Sequence, residues 1–514
     1  MGIDRNSRRT MSLVFLAAFF GAACTDDDPT KLVAGPSTTT TRTEIVLPGA
    51  ASEYIQHSRD WVLPGRDYNN SRATFDSRVS SRNVSDLHVL WEAPVSGALS
   101  TAPIIIGETV YVQDGSGVIR AFDRMKGTPR WKTTPYGATA GRFGIAVADD
   151  RVFGILGSRG IVAVSATTGT EIWRKELAVN ASTAIDIQPI FFSGKIFVST
   201  APVKIEGRSM AGARGVLHAL SAETGETLWT FDTVKGDLWG HPEINSGGGA
   251  RFPPAIDPRS NTLYWATASP APSPGTKEFA NGSSRPGANL YTNSALAIDI
   301  DSGQLRWHHQ VHPHDLFDRD LLHTMISKVD QREVVVATGK GGVVVGLRPK
   351  DGSRIWSTKV GLHRNDDLQQ LDSPTEVAPG TFGGVLAPPA NADGIAYVAV
   401  VNAPTTLNRD VPNQKPSELG KNDGEIVAID TADGAIKWST KLFGDPFGGI
   451  TIVNDLVLAT LVDGTLVVIN RNDGAQLLQI KLIGGANGHM SVAGNMFVVP
   501  VDALESPRLV AFGL

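Results

Sequence analysis

Between residues 119 and 478 the chain repeats one short grammar seven times, and that repeat constrains the fold more than any other feature. It reads IRAFDRMKGTPRW from Ile119 to Trp131, VAVSATTGTEIW from Val162 to Trp173 and LHALSAETGETLW from Leu217 to Trp229. It returns as LAIDIDSGQLRW (Leu296 to Trp307), VGLRPKDGSRIW (Val345 to Trp356) and VAIDTADGAIKW (Val427 to Trp438), and last as VVINRNDGAQLL (Val467 to Leu478), with Leu in the Trp slot. In every copy the Trp or Leu stands four residues after a Gly: 127, 169, 225, 303, 352, 434 or 474. Self-similarity of this kind must be read before any local pattern. Each copy is an apolar strand, a turn whose Gly supplies a positive φ, and a second strand, which together make a hairpin. A further apolar pair precedes it, as in Ile104 to Ile106 and Val110 to Val112. Four strands per unit make a propeller blade.

Successive slots are 42, 56, 78, 49, 82 and 40 residues apart. The short intervals fit a bare blade, and the surplus in the long ones belongs to loops at one end of the ring. The strands after Gly484 lack the Gly-Trp turn, and Leu87 to Val95 resembles an outermost strand without its hairpin. Pairing the two closes the ring and removes both free edges. The expectation is an all-β chain, one eight-bladed propeller over residues 56–514, or seven-bladed if those ends do not complete a blade. The repeated Trp residues should pack between blades with each indole N–H on a backbone carbonyl.

The ends and the composition add limits. Arg5, Arg8 and Arg9 precede the apolar run Met11 to Phe20, then Gly21, Ala22, Ala23 and Cys24. This reads as a secretory signal over residues 1–24, too short to span a membrane as a stop-transfer helix. The small residues before Cys24 resemble a lipoprotein cleavage site, which would make Cys24 the lipidated N-terminus and membrane anchor. An ordinary export signal with an incidental Cys is the other reading. Residues 25–55 are polar and Thr-rich and read as a flexible tether. With 47 basic and 52 acidic side chains the net charge is −5, which gives no field for a nucleic-acid backbone. The single Cys excludes an intrachain disulfide and a thiolate metal cluster.

Three stretches resemble the quinoprotein alcohol dehydrogenases, propellers that hold pyrroloquinoline quinone (PQQ) on the ring axis. They are WVLPGRDYNNSR (Trp61 to Arg72), SRPGANLYTNS (Ser284 to Ser294) followed by Pro313-His314-Asp315-Leu316-Phe317-Asp318-Arg319-Asp320, and ATGKGGVVV (Ala337 to Val345). The resemblance implies an exported oxidoreductase that takes an alcohol or polyol to a carbonyl compound. Such chemistry wants a carboxylate to remove the hydroxyl proton and a cation beside the quinone oxygen. It puts Asp318 at the base, Lys340 at the quinone oxygens, and Phe252, Arg214 and Arg142 around the cofactor.

For Ca²⁺ or a lanthanide the resemblance implies Asp318, Asp320, Glu206 and Ser269. Two of these depart from the family pattern: Met210 stands at the usual Glu spacing, leaving Glu206 as substitute, and Ser269 replaces an Asn whose carbonyl is a better ligand for a hard cation. Phe252 replaces the family's Trp floor, and the Cys pair that covers the quinone in many members is absent. No C-x-x-C-H occurs, so electrons should leave to a separate carrier such as a cytochrome c or a quinone. His308, His309, His312 and His314 crowd beside the Asp motif and are the residues from which a zinc or iron site could be built. The competing function is a propeller lipoprotein that serves as a binding or assembly scaffold in the cell envelope without catalysis.

Overall fold

The computed structural model describes residues 49–139, 141–205, 208–411, 418–502 and 506–514. Cys24, the export signal, most of the tether and Glu206 lie outside them. Eight antiparallel four-stranded blades form the ring; six are separate four-stranded sheets, and the other two lie within a five-stranded and a seven-stranded sheet. Blade 1 runs from Ile104–Ile106 to Pro129–Lys132 and blade 2 from Ala146–Ala148 to Glu171–Glu176. Blade 3 holds Ile190–Phe192, Lys195–Pro202, Arg214–Ser221 and Thr227–Asp232, and blade 4 holds Ala255–Asp257, Thr262–Ala266, Ser294–Asp299 and Leu305–Gln310. Blade 5 spans Leu321–Val329 to Arg354–Lys359, blade 6 Ala390–Ala392 to Ile436–Leu442, and blade 7 Thr451–Val453 to Gln476–Lys481.

Blade 8 is made from both ends of the chain. Its inner three strands, Ser491–Ala493, Met496–Val501 and Arg508–Gly513, take His88–Pro94 as the fourth, antiparallel to Arg508–Gly513. Both ends of the chain are thereby paired within one blade, and each blade keeps only the short edge of its outermost strand.

Adjacent blades are held by one contact used seven times. The turn glycines 127, 169, 225, 303, 352, 434 and 474 all have φ between +65° and +80°. Each lies against the Trp of the preceding blade, where a Cβ would stand 2.4–2.7 Å from the indole. The indole N–H then donates to a carbonyl of that next blade: Trp91 to Arg124, Trp131 to Ala166, Trp173 to Ala222, Trp229 to Ile300, Trp307 to Pro349, Trp356 to Thr431 and Trp438 to Arg471, at 2.8–3.2 Å. Leu478, in the eighth slot, packs into the blade 8 core instead.

The tether ends earlier than residue 55. Ser52–Gln56 is a short helix, and its Tyr54 is buried beside Tyr68 and Phe191, with its hydroxyl donating to the Val147 carbonyl at 2.6 Å. The Ser193 N–H on the Gly49 carbonyl and the Asp150 N–H on the Glu53 carboxylate hold the same segment against blades 2 and 3.

Because every blade begins with its innermost strand, the segments that lead into those strands share one end of the axis. The long insertions gather there and interlock. The fully buried Arg285 donates to the Pro272 and Asp315 carbonyls and to Asn289 Oδ1, which ties three loop stretches together. Leu316 and Phe317 enter a small satellite core with Leu371, Val377 and Leu407.

The Gly-Trp contact sets an expected outcome. Gly303→Ala meets both a positive φ of +70° and the Trp229 ring at 2.6 Å, whereas Gly236→Ala meets a φ of +73° with nothing within 4 Å. An alanine in the left-handed region costs about 1–2 kcal/mol by itself, so Gly303→Ala should lower the melting temperature clearly more than Gly236→Ala. Equal shifts would show that the indole contact adds nothing.

Candidate active site

Asp320 precedes the innermost strand of blade 5, and Lys340 follows the second strand of that blade, its N–H bonded to the Asp320 carbonyl at 3.0 Å. Asp318 sits two residues earlier with φ +58°, its loop held by the Asp315 carboxylate, which accepts the backbone N–H of Phe317 and of Arg319. Ser269 follows the second strand of blade 4, and Lys204 follows that of blade 3, in a two-stranded ribbon with Arg208–Ser209. These segments converge on one charged cluster.

The Lys340 ammonium lies 2.7 Å from Asp318 Oδ2 and 3.0 Å from Asp320 Oδ2. Lys204 stands 3.3 Å from both oxygens of Asp318. The Ser269 hydroxyl is 2.8 Å from Oδ1 of Asp318 and of Asp320, and the Ser269 backbone N–H donates to the same Asp320 oxygen. Arg251 Nε lies 3.6 Å from Asp320 Oδ2 while Nη1 pairs with Asp186, which also receives the backbone N–H of Arg142.

Burial raises the Asp318 and Asp320 carboxyls, but the neighbouring ammonium groups more than offset it. Asp318 is held below the usual carboxylate range by Lys204 and Lys340, and Asp320 well below it by Lys340, Lys204 and Arg251. Burial lowers the Lys340 ammonium, and the two carboxylates reverse this and raise it. Both acids are therefore ionised and Lys340 is charged at neutral pH.

Beside this cluster, and sharing Arg251 with it, is a cleft of about 40 Å³ that opens to solvent. Arg72, Arg142, Arg251, Phe252, His323 and His489 are among its walls, and no Asp or Glu is. Arg142 lies over the Phe252 ring at 4.9 Å, with His323 4.2 Å and His489 6.0 Å from the same ring. Arg72 is buried and spends its donors on the Ile450, Pro64 and Met490 carbonyls and on Thr451, so it braces the wall. Arg251 Nε is buried and has no hydrogen-bond acceptor among the described residues.

Of the residues expected from the sequence, the structure gathers Asp318, Asp320, Ser269 and Lys340, with Phe252 and Arg142 on the adjoining cleft. Arg214 is not among them: its guanidinium binds Asp237 and the Gly236 carbonyl. The four His residues do not converge. His314 bonds the Gly287 carbonyl, His308 packs on Tyr291, and His312 is driven down to about 3 by burial. No group of three or more His, Cys, Asp or Glu among the described residues could hold a metal ion. Sequence reasoning missed Lys204, Asp186 and Arg251. Only Arg251 had a signal, its place directly after Gly-Gly-Gly-Ala.

Comparison with known proteins fits this geometry. A family model described as glucose/ethanol/alcohol dehydrogenase, β-propeller domain (PQQ) matches residues 178–360, the span that holds Lys204, Arg251, Phe252, Ser269, Asp318, Asp320 and Lys340. By these matches the chain is similar, as a distant homologue at about 25% identity, to the PQQ-dependent alcohol dehydrogenase β-propellers. A second model, outer membrane protein assembly factor BamB, matches residues 75–137 and 422–512. The quinohemoprotein alcohol dehydrogenase of Comamonas testosteroni is 24% identical over 79% of this chain and 67% of its own. The quinoprotein alcohol dehydrogenase PedH of Pseudomonas putida is 25% identical over 76% of each. The chain spans only 45% and 40% of two further Pseudomonas putida quinohemoproteins. Among solved structures, the Comamonas enzyme superposes with a TM-score of 0.76 at 21% identity, covering 89% of this chain and 81% of that one. A europium-containing methanol dehydrogenase gives 0.76 at 18%, covering 90% and 100%.

Two outcomes test the electrostatics. Lys340→Met leaves two buried carboxylates short of a partner, which costs about 3–5 kcal/mol. The double variant with Asp320→Asn should recover part of that loss in thermal unfolding, and no recovery would contradict the pairing. His323 is lowered to about 3, first by burial, against an ordinary value of about 6.5. The unfolded chain therefore takes up its proton first. Stability should be full above about pH 6.5 and fall as pH drops toward 3, by at most about 1.4 kcal/mol per unit for this group. His323→Gln should flatten that slope in melts at stepped pH.

Proposed function

We propose that this chain is an exported quinoprotein dehydrogenase that oxidises an alcohol or polyol to a carbonyl compound, with PQQ as its cofactor and Asp318 as the base. One observation carries the reading: an ionised Asp318 bonded to Lys340 at 2.7 Å, next to an acid-free cleft that contains Phe252. The residues suit PQQ, a planar polyanion. Phe252 offers a ring face that a planar ligand would contest with the Arg142 guanidinium. Arg142 and Arg251 offer positive charge, and the buried Arg251 Nε–H has no acceptor of its own among the described residues. When bound, PQQ supplies a hydride-accepting quinone.

The chain's own part is acid-base and electrostatic. Asp318, kept below the usual carboxylate range, is in the ionised state a base needs and takes the hydroxyl proton on a carboxylate oxygen. Lys340 donates hydrogen bonds toward developing negative charge while it orients Asp318. Asp320 and Ser269 fix the position of both.

The family's metal fits these residues poorly. Ser269 offers a hydroxyl in place of an amide carbonyl, and both carboxylates already carry ammonium partners. No step is assigned to a metal.

Export followed by lipidation at Cys24 belongs to the same reading, supported by Gly21-Ala22-Ala23 before that Cys. So does transfer of electrons to a separate acceptor such as a cytochrome c or a quinone; methanol dehydrogenases named for cytochrome c are among the relatives, at 23% identity. The competing scaffold reading draws on the BamB match at both ends of the chain.

The test is PQQ binding followed by dye reduction with a panel of alcohols. The expected outcome is saturable binding with turnover in the parent, and in Asp318→Asn retained binding with turnover lowered at least about 100-fold, the scale of a general base. If PQQ does not bind, the scaffold reading replaces this one.

A further inference from the structure

We propose that the chain replaces the metal of its family with its own cation, the Lys204 ammonium, seated on the Asp318 carboxylate. The inference rests on reading the cluster as the dehydrogenase site, and it concerns what occupies that site beside the base.

Lys204 meets the two Asp318 oxygens at equal distances of 3.3 Å, bridging the carboxylate fork as a chelated cation would. Lys340 takes Asp318 from a different direction, at 2.7 Å to Oδ2 alone, and reaches on to Asp320. The two lysines are therefore not interchangeable. One bridges the two acids, and the other caps the outer one. Lys204 remains 29% exposed, whereas Lys340 is 7% exposed, so the capping cation sits on the open side.

Counting charge points the same way. Asp318 and Asp320 bring two negative charges, and Lys204, Lys340 and Arg251 bring three positive ones within 4 Å of them. Adding Asp186 and Arg142, which pair with this group, leaves the total at one positive charge. A divalent ion would raise it to three with no further carboxylate in contact among the described residues. Without Lys204 and Arg251 the same two acids would retain one negative charge, as a cation site should.

The donor atoms are also committed. The Ser269 hydroxyl has a single proton and lies 2.8 Å from a carboxylate oxygen on each side. That proton can be donated to only one of them at a time. Asp320 accepts from Lys340 and from the Ser269 backbone N–H and faces Arg251, which leaves little of its valence for an ion.

The test uses the full chain, chelator-washed and free of PQQ, with CaCl₂ followed by calorimetry and TbCl₃ followed by sensitised luminescence, and metal content determined by mass spectrometry. The parent is expected to hold well under one equivalent of metal and to bind neither ion specifically. Lys204→Gln and Lys204→Ala, verified as folded by circular dichroism, are expected to bind Tb³⁺ at least tenfold more tightly. Adding Asp320→Asn should abolish that gain.

One equivalent of Ca²⁺ or Tb³⁺ on the parent, lost in Asp320→Asn, would overturn the proposal, as would Lys204 variants that bind no better than the parent. Because no measurement uses PQQ, failure of PQQ to bind would remove the dehydrogenase reading and leave this result readable. Metal uptake in a protein that turns over alcohols would remove only this one.

Discussion

The Trp of one blade against the turn glycine of the next is the contact on which the rest of the molecule depends. A single four-stranded sheet cannot bury both its faces, so each blade is stable only when its neighbour covers it. The dock combines large apolar area with one hydrogen bond to a backbone carbonyl, and it fits only because the glycine has no Cβ at the place where the ring lies. Repeating the same geometry fixes the angle between blades, and that angle sets how many close the circle. Where the pattern lapses at Leu478, blade 8 has no turn glycine to receive a Trp. The N-terminal strand His88–Pro94 completes that blade and docks Trp91 on blade 1. The two ends of the chain thus close the ring.

This dependence explains what could be read in advance. The repeat is written into the sequence seven times, so a ring of eight or seven blades, the positive φ of the turn glycines, indoles packed between blades on backbone carbonyls and closure by Leu87 to Val95 with the C-terminal strands could all be expected from it. The tether boundary could not. The contacts of Gly49, Glu53 and Tyr54 that hold this segment all reach residues of blades 2 and 3 far along the chain, and no local pattern announces them.

The site was legible in part, for a related reason. Asp318, Asp320, Lys340, Ser269 and Phe252 fall in stretches that resemble a family, and the structure gathers them. Lys204, Asp186 and Arg251 come from loops with no repeat, and their meaning lies in partners 65 to 114 residues away. A lysine that caps a carboxylate 114 residues away looks in sequence like any solvated lysine. Arg214 shows the converse: it sits beside a glycine motif, and its side chain is taken by Asp237 in the next loop. Motif position fixes the backbone well, but a long side chain goes where charge and room allow.

The axial end of the ring also explains why so many charges can be kept together. Asp320 adjoins the innermost strand of blade 5 and the Asp318 loop is tied down by the Asp315 carboxylate, so these carboxylates cannot swing into water to lower their energy. They must be neutralised in place. A chain has two ways to do that: import a metal, which couples the site to metal supply and leaves neighbouring acids repelling one another until it arrives, or encode the cations. The departures here are consistent with the second. Ser269 shortens a metal-ligating amide to a hydroxyl that fits between the acids, Arg251 spans Asp186 and Asp320, and Lys204 closes the outer side of Asp318. Each change alone would leave a buried charge or an empty valence. Together they leave both acids paired, and Arg251 joins the cluster to the neighbouring cleft.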